Sequence, residues 1–148
     1  MASLPALRTL ILAVLLFGTS GALVELLLLS HYEDALQIIP LGLLAMALAV
    51  TLWHSLAPRA ANVRALQAVM ALFVCAGVAG VALHFNGAAE FQLEMDPSQS
   101  RWALVTKVLR VHAPPVLAPG LMVQLGLLGL IYTYRHPAVR ERGSSFTE

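Results

Sequence analysis

The residues of this sequence best suited to chemistry are a carboxylate and an imidazole inside long apolar runs, Glu25 and His84. An ionisable side chain in the hydrocarbon of a membrane costs several kcal/mol unless it is paired, so it is a functional hypothesis by default. Each lies seven residues after a glycine, Gly18 or Gly77, and shares a helical face with it. At about 1.5 Å per residue, Glu25 lies roughly 24 Å and His84 roughly 27 Å along its helix. We expect the two side chains to meet in the outer third of a helical bundle.

A metal ion is one ligand that such a site could bind. The candidate metal ligands are Glu25, His84, Glu90 and Glu94, with His31 nearby. The sequence has no Glu-x-x-His pair, no Cys-x-x-Cys and no His-x-x-x-His, so the established spacings of metal ligands are missing. Structural roles compete with the metal hypothesis: a hydrogen bond at Glu25 that fixes helix register, a histidine that caps carbonyl groups, and carboxylates of a solvated loop.

Haem b held by two histidines is the other cofactor hypothesis. His31 and His84 fall at the predicted outer ends of helices, and His54 and His136 fall at the inner ends. His84 and His31 are therefore the cofactor-binding candidates. All four histidines lie at helix ends, where interfacial histidines are common, and the sequence alone names no cofactor.

Membrane helices must position these residues. The sequence is 59% hydrophobic and 11% charged, whereas soluble domains carry about 25% charged residues. Four apolar runs, at about 9–29, 36–55, 65–85 and 116–134, are long enough to cross a hydrocarbon core of about 30 Å. We predict one all-α domain over residues 1–148, a transmembrane four-helix bundle with a polar tail at 137–148. Pro40 is placed in the first turn of the second helix, and Asn86-Gly87 at the end of the third.

The loop of about thirty residues before the fourth run is long enough to contain its own structure. Asp96, Pro97 and Gln99 have the types expected of an N-cap, a first-turn proline and a capping-box glutamine. The residues that follow have an apolar face with Trp102 and a polar face with Lys107. This pattern predicts a short amphipathic helix at about 97–111, lying in the membrane interface or packed on the rest of the protein.

Three of the four predicted spans contain Gly-x-x-Gly, a spacing that lets membrane helices approach each other closely. The helix-packing candidates are Gly18, Gly21, Gly77, Gly80, Gly126 and Gly129. The motif predicts tight packing and carries no chemistry of its own.

The distribution of basic residues predicts the orientation. With four spans both termini lie on one side, and that side collects twice as many basic residues as the other. The six are Arg8, Arg59, Arg64, Arg135, Arg140 and Arg142, against Arg101, Lys107 and Arg110 on the other side. The positive-inside rule then places both termini in the cytoplasm. The composition, rich in Leu, Ala and Arg, suggests a bacterial protein, so we expect the membrane to be a bacterial inner membrane.

Three segments, 25–34 (ELLLLSHYED), 117–120 (LAPG) and 125–137 (LGLLGLIYTYRHP), resemble small uncharacterised bacterial four-span membrane proteins. The resemblance covers most of the chain and implies the architecture only, since no activity is assigned to that group.

Two classes of function remain from the sequence. The first is a non-enzymatic accessory, assembly or scaffold subunit that binds other membrane proteins or itself, which the small size and the glycine-rich faces favour. The second is a ligand-, metal- or haem-binding protein, a redox or proton-coupled transport unit built around Glu25 and His84. The sequence contains no nucleophile elbow, phosphate-binding loop or dinucleotide fingerprint, and nothing in it suggests nucleic-acid binding.

Overall fold

The structure, a computed structural model, describes residues 4–110 and 117–140, and this part of the chain is helical without strands. Its six helices are α1 (Leu4–Leu28), α2 (Ala35–Leu56), α3 (Ala60–Met95), α4 (Arg101–Leu109), α5 (Leu117–Thr133) and α6 (Pro137–Arg140). The all-α prediction is confirmed for these residues. Residue 111 at the end of the predicted interfacial helix, residue 116 at the start of the fourth run and the tail beyond 140 lie outside the described residues.

Three helices, α1, α2 and α3, are long and apolar enough to cross a membrane. Large apolar side chains such as Phe17, Leu72 and Val78 are exposed on their outer faces, as expected of surfaces that contact lipid. α5 is also apolar but has only 17 residues. These features support a membrane protein.

The long helices alternate in direction. α1 packs against α2 and α5, and α3 packs against the same two helices. α1 and α3 therefore lie diagonally opposite each other, with α2 and α5 between them. The shared core contains Leu15 of α1, Leu44 of α2, Phe73 of α3 and Leu125 of α5. One end of the helices, called here the N-terminal end, therefore brings together the start of α1, the end of α2, the start of α3 and the end of α5.

α3 does not end at Asn86-Gly87 as the sequence suggested. It continues without a break to Met95, a total of 36 residues or about 54 Å. The residues after Gly87 are Ala, Ala, Glu, Phe, Gln, Leu, Glu and Met, most of which are strong helix formers, and they outweigh the local turn signal of Asn-Gly. The apolar part at 65–85 accounts for about 31 Å, so about ten residues of α3 extend beyond it at the end opposite the N-terminal end.

The predicted start of the interfacial helix is also wrong. Asp96 ends α3, and its Oδ1 accepts hydrogen bonds from the backbone and hydroxyl of Ser98. Gln99 donates from Nε2 to the carbonyl of Gln92, in the last turn of α3. α4 starts later, at Arg101, and the hydroxyl of Ser100 accepts from the backbone N–H of Ala103. Because α3 runs to this point, the polar residues of the motif cap its end instead of starting the next helix.

α2 starts one turn before the proline that was expected in its first turn. Asp34 is the N-cap, and its Oδ1 accepts from the N–H groups of Leu36 and Gln37. The Gln37 side chain accepts in return from the N–H of Glu33. Pro40 therefore lies at the sixth position, inside the helix. Reciprocal capping by Asp34 and Gln37 fixes the start of α2, because it satisfies N–H groups that have no partner within the helix.

A buried histidine–tyrosine cluster as the candidate functional site

Three aromatic side chains meet at the N-terminal end of the helices. His54 comes from the last turn of α2, Tyr132 from the last turn of α5, and His136 from the turn that follows α5. The ring centroids of His54 and His136 are 5.1 Å apart, and Tyr132 lies 5.5 Å from each. All three side chains are buried. We call this group the histidine–tyrosine cluster.

A hydrogen bond between two side chains lies at the centre of the cluster. The Nε2 atom of His54 is 2.7 Å from the hydroxyl of Tyr132. His54 is only 1% exposed, and no hydrogen bond of normal geometry reaches its Nδ1 atom. The amide of Asn62 at the start of α3 interacts with the ring, but its Oδ1 already accepts from the N–H of Arg59 and its Nδ2 donates to the carbonyl of Ala57. His54 is therefore a buried imidazole with one nitrogen committed and one without a well-formed bond.

His136 is held by backbone hydrogen bonds on both sides. Its N–H donates to the carbonyl of Thr133, and its Nδ1 accepts from the N–H of Ala138 at 3.3 Å. Burial lowers the pKa of the His136 imidazole. Repulsion from His54 in its protonated form and from Arg8 lowers it further. The neutral ring is therefore favoured, with its proton on Nε2.

Arg8 ties α1 to the end of α5. Its Nη2 donates to the carbonyls of Tyr134 and Arg135 at 3.3 and 3.2 Å. Arg135 has a positive φ of 47°, a backbone conformation that ends helices. The chain turns there, and His136 lies against His54 and Tyr132. Arg8 thus satisfies carbonyls that the end of α5 leaves without helical partners.

The chemistry available to this cluster is proton exchange. A phenol hydrogen-bonded to an imidazole, beside a second imidazole, can bind or release a proton without a metal or a nucleophile. All the carboxylates of the described residues lie at the opposite end or near it: Glu25, Glu33, Asp34, Glu90, Glu94 and Asp96. The positive charge that the cluster gains with a proton would therefore be repelled by Arg8, and no carboxylate among the described residues lies near enough to offset it.

At the opposite end the structure brings together His31 and His84, but not Glu25 and His84. The His31 and His84 rings are stacked with centroids 6.3 Å apart, and Nδ1 of His84 lies 2.9 Å from the carbonyl of Gly80 in its own helix. The Glu25 side chain is exposed and has no hydrogen bond or ion pair within the described residues. Glu90 and Glu94 are exposed on the extension of α3. No three metal-ligating side chains form a group in residues 4–110 and 117–140.

The six packing candidates differ in what they contact. A Cβ at Gly77, Gly80, Gly126 or Gly129 would meet the partner helix in the α3–α5 pair, and one at Gly18 would meet Leu125 of α5. Gly21 has nothing within 4 Å of that position. The closest approach between helices is therefore that of α3 to α5.

Sequence reasoning paired His54 with His136 at one face but missed Tyr132 and Asn62 as their neighbours. The only available signal was the position of both residues near the predicted inner ends of their helices. Comparisons with protein-family models, with curated proteins and with solved structures find no match to this chain.

Proposed function

We propose that this protein crosses the membrane four times, through α1, α2, α3 and α5, and serves as a non-enzymatic subunit of a membrane complex. The 17 residues of α5 cover about 25 Å, at the lower limit for a spanning helix. Its close contact with α3 supports the fourth span, because α5 then lies beside a helix that crosses the membrane.

The length of α3 is the observation that carries the proposed function. We define the projecting segment as residues 86–109, which comprises the extension of α3, the turn and α4. Phe91, Met95 and Trp102 on this segment are 59%, 72% and 75% exposed. Aromatic and methionine side chains are enriched at protein interfaces, and exposed apolar groups beside charged ones are typical of docking surfaces. A segment of this kind beyond the apolar part of α3 suits a subunit that binds a partner outside the membrane.

The charges of the described helices support both termini in the cytoplasm of a bacterial cell. Arg8, Arg59, Arg64 and Arg135 lie at the N-terminal end, whereas the carboxylates lie toward the opposite end. Under the positive-inside rule the N-terminal end faces the cytoplasm, and the projecting segment faces outward from the inner membrane.

Cysteine labelling tests the four spans. Single cysteines are introduced in a Cys75→Ala background. Ser55→Cys reports the end of α2, Ser98→Cys reports the projecting segment, and Tyr134→Cys reports the end of α5. We expect a membrane-impermeant thiol reagent to label Ser98→Cys in intact cells, and to label Ser55→Cys and Tyr134→Cys only after permeabilisation. Labelling of Tyr134→Cys together with Ser98→Cys would show that α5 does not cross the membrane.

Native mass spectrometry of the protein extracted gently from its own membrane tests the subunit role. We expect the wild-type chain bound to a larger protein, and loss of that complex in Phe91→Ala/Trp102→Ala. The matched control is Leu56→Ala, which truncates a similarly exposed apolar side chain at the other end. A complex that survives the double substitution, or a chain that is always free, contradicts the proposal.

The second candidate function is a metal- or haem-binding unit, and the pairing of His31 with His84 favours it. The bond of His84 Nδ1 to the Gly80 carbonyl leaves Nε2 free, an arrangement common among metal-binding histidines. The same mass spectra separate the candidates, because a bound metal or haem supports the second function and a bare chain on a larger subunit supports the first.

A further inference from the structure

The chain after α5 is held against the helices by His136. This segment, residues 136–140, contains α6, and α6 contacts α3. His136 accepts two hydrogen bonds at the start of α6. Its carbonyl accepts from the N–H of Val139 at 3.0 Å, and its Nδ1 accepts from the N–H of Ala138. The imidazole therefore occupies the role that Ser, Asp or Asn usually has at the start of a helix.

An imidazole can cap in this way only while it is neutral. Nδ1 accepts a hydrogen bond through its lone pair, and the neutral ring then carries its proton on Nε2. When a second proton binds to Nδ1, that lone pair is lost and two N–H groups face each other. Protonation of His136 thus removes the side-chain hydrogen bond that begins α6.

The surroundings of His136 also oppose a positive charge. Arg8 faces it from α1, His54 from α2 and Tyr132 from α5. The start of α3 contributes the neutral Asn62, which lies beside His54. The charged group of Arg135 stacks on the ring of Tyr134, 5.3 Å from its centroid. No carboxylate of the described residues lies at this end to offset an imidazolium.

We propose that the histidine–tyrosine cluster is a proton-binding site that controls the docking of residues 136–140 on α3. With neutral imidazoles the segment is docked, and proton uptake by His136 releases it. This inference does not depend on the proposed partner, since it concerns only contacts within the chain.

The direction of the pH dependence follows from burial. The pKa of His136 is lowered in the docked state, so docking is complete above the ordinary imidazole value of about 6.5. As the pH falls below that value the undocked state binds more protons, and docking weakens until the pH passes the lowered pKa. Docking weakens about tenfold for each unit by which the pKa is lowered.

The test is NMR of the full chain in lipid nanodiscs with ¹⁵N-labelled histidine and backbone. From about pH 8 to about pH 5 we expect His136 to pass from the Nε2-protonated neutral ring to the imidazolium. Over the same range the exchange of the Ala138 amide, corrected for its intrinsic pH dependence, should accelerate with the same midpoint. Equal midpoints for the His136 titration and the Ala138 exchange support the proposal in the wild-type chain alone. A His136 titration without a change in exchange at Ala138 overturns it.

His136→Asn is the decisive variant. The Oδ1 of asparagine can accept from the N–H of residue 138 in place of Nδ1 and does not titrate, so exchange at Ala138 should become independent of pH. His84→Gln, which removes an imidazole at the opposite end, should leave the wild-type transition unchanged. An acceleration in His136→Asn equal to that of the wild type contradicts the role of His136.

Discussion

Replacing Gly77 with alanine is expected to destabilise the protein by about 1–3 kcal/mol or more, the usual cost of overpacking a tight interface. A Cβ at this position would lie 2.6 Å from Cγ2 of Val123, 2.7 Å from the carbonyl oxygen of Pro119 and 2.9 Å from the backbone nitrogen of Val123. Two of these are backbone atoms, so no side-chain rotation relieves the contact. The α3–α5 pair must separate, and leucine at the same position should prevent its assembly. Reversible unfolding in mild detergent measures the effect.

Gly87→Ala is the matched control for this substitution. It lies on the same helix, but nothing comes within 4 Å of the added Cβ. Alanine is the better helix former, so we expect a neutral effect or a gain of about 0.5–1 kcal/mol. Equal destabilisation by Gly77→Ala and Gly87→Ala would show that the close approach of α3 to α5 does not decide stability.

Tyr132→Phe is expected to cost about 1–3 kcal/mol, although it removes a single oxygen. His54 Nε2 would lose its partner at 2.7 Å, and the ring would then have no well-formed hydrogen bond on either nitrogen. A buried polar group left unsatisfied costs its full desolvation penalty, which exceeds the net contribution of the bond itself. Unfolding of the wild type and the variant at about pH 8, where the cluster is neutral, measures this cost.

A double-mutant cycle with His54→Leu separates the hydrogen bond from general packing. Once the imidazole is gone, the phenol has no partner to leave unsatisfied, so Tyr132→Phe should cost much less in the His54→Leu background. The interaction energy should be about 0.5–3 kcal/mol, the range for residues in direct contact. Strict additivity would indicate that the short His54–Tyr132 distance contributes nothing to stability.

The sequence predicted the helices better than their ends. The apolar runs specify α1, α2 and the first part of α3, because a helix satisfies its backbone hydrogen bonds internally and an apolar run of this length suits the hydrocarbon of a membrane. The extension of α3 was missed because Asn86-Gly87 is a strong turn signal in isolation. Helix formers on both sides, and the capping of the α3 end by Gln99, override that signal.

The sites were harder to predict, because periodicity gives the face of a helix but not what covers it. Glu25 shares a face with Gly18, and Gly18 contacts Leu125 of α5. Seven residues farther along α1, the antiparallel α5 has reached its first turn near residue 118, so among the described residues nothing from α5 extends over Glu25. The sequence placed His54 and His136 at the same end of the helices, and the structure has them in contact. The contact of Tyr132 with His54 depends on the rotation of α5 about its axis, which the sequence does not reveal.

The unbroken course of α3 has a mechanical consequence. Asn62 at one end of this helix lies beside the histidine–tyrosine cluster, and Phe91 at the other end lies on the projecting segment, 29 residues and about 44 Å away. A rigid rod of this length amplifies small angular changes: a tilt of about five degrees pivoting at Asn62 displaces Phe91 by about 4 Å. Gly77 lies near the midpoint of α3 and in close contact with α5, so such a tilt also changes the packing of α3 on α5. A change in packing at the N-terminal end of the helices therefore has a direct route to the projecting segment through a single element, without any intervening hinge.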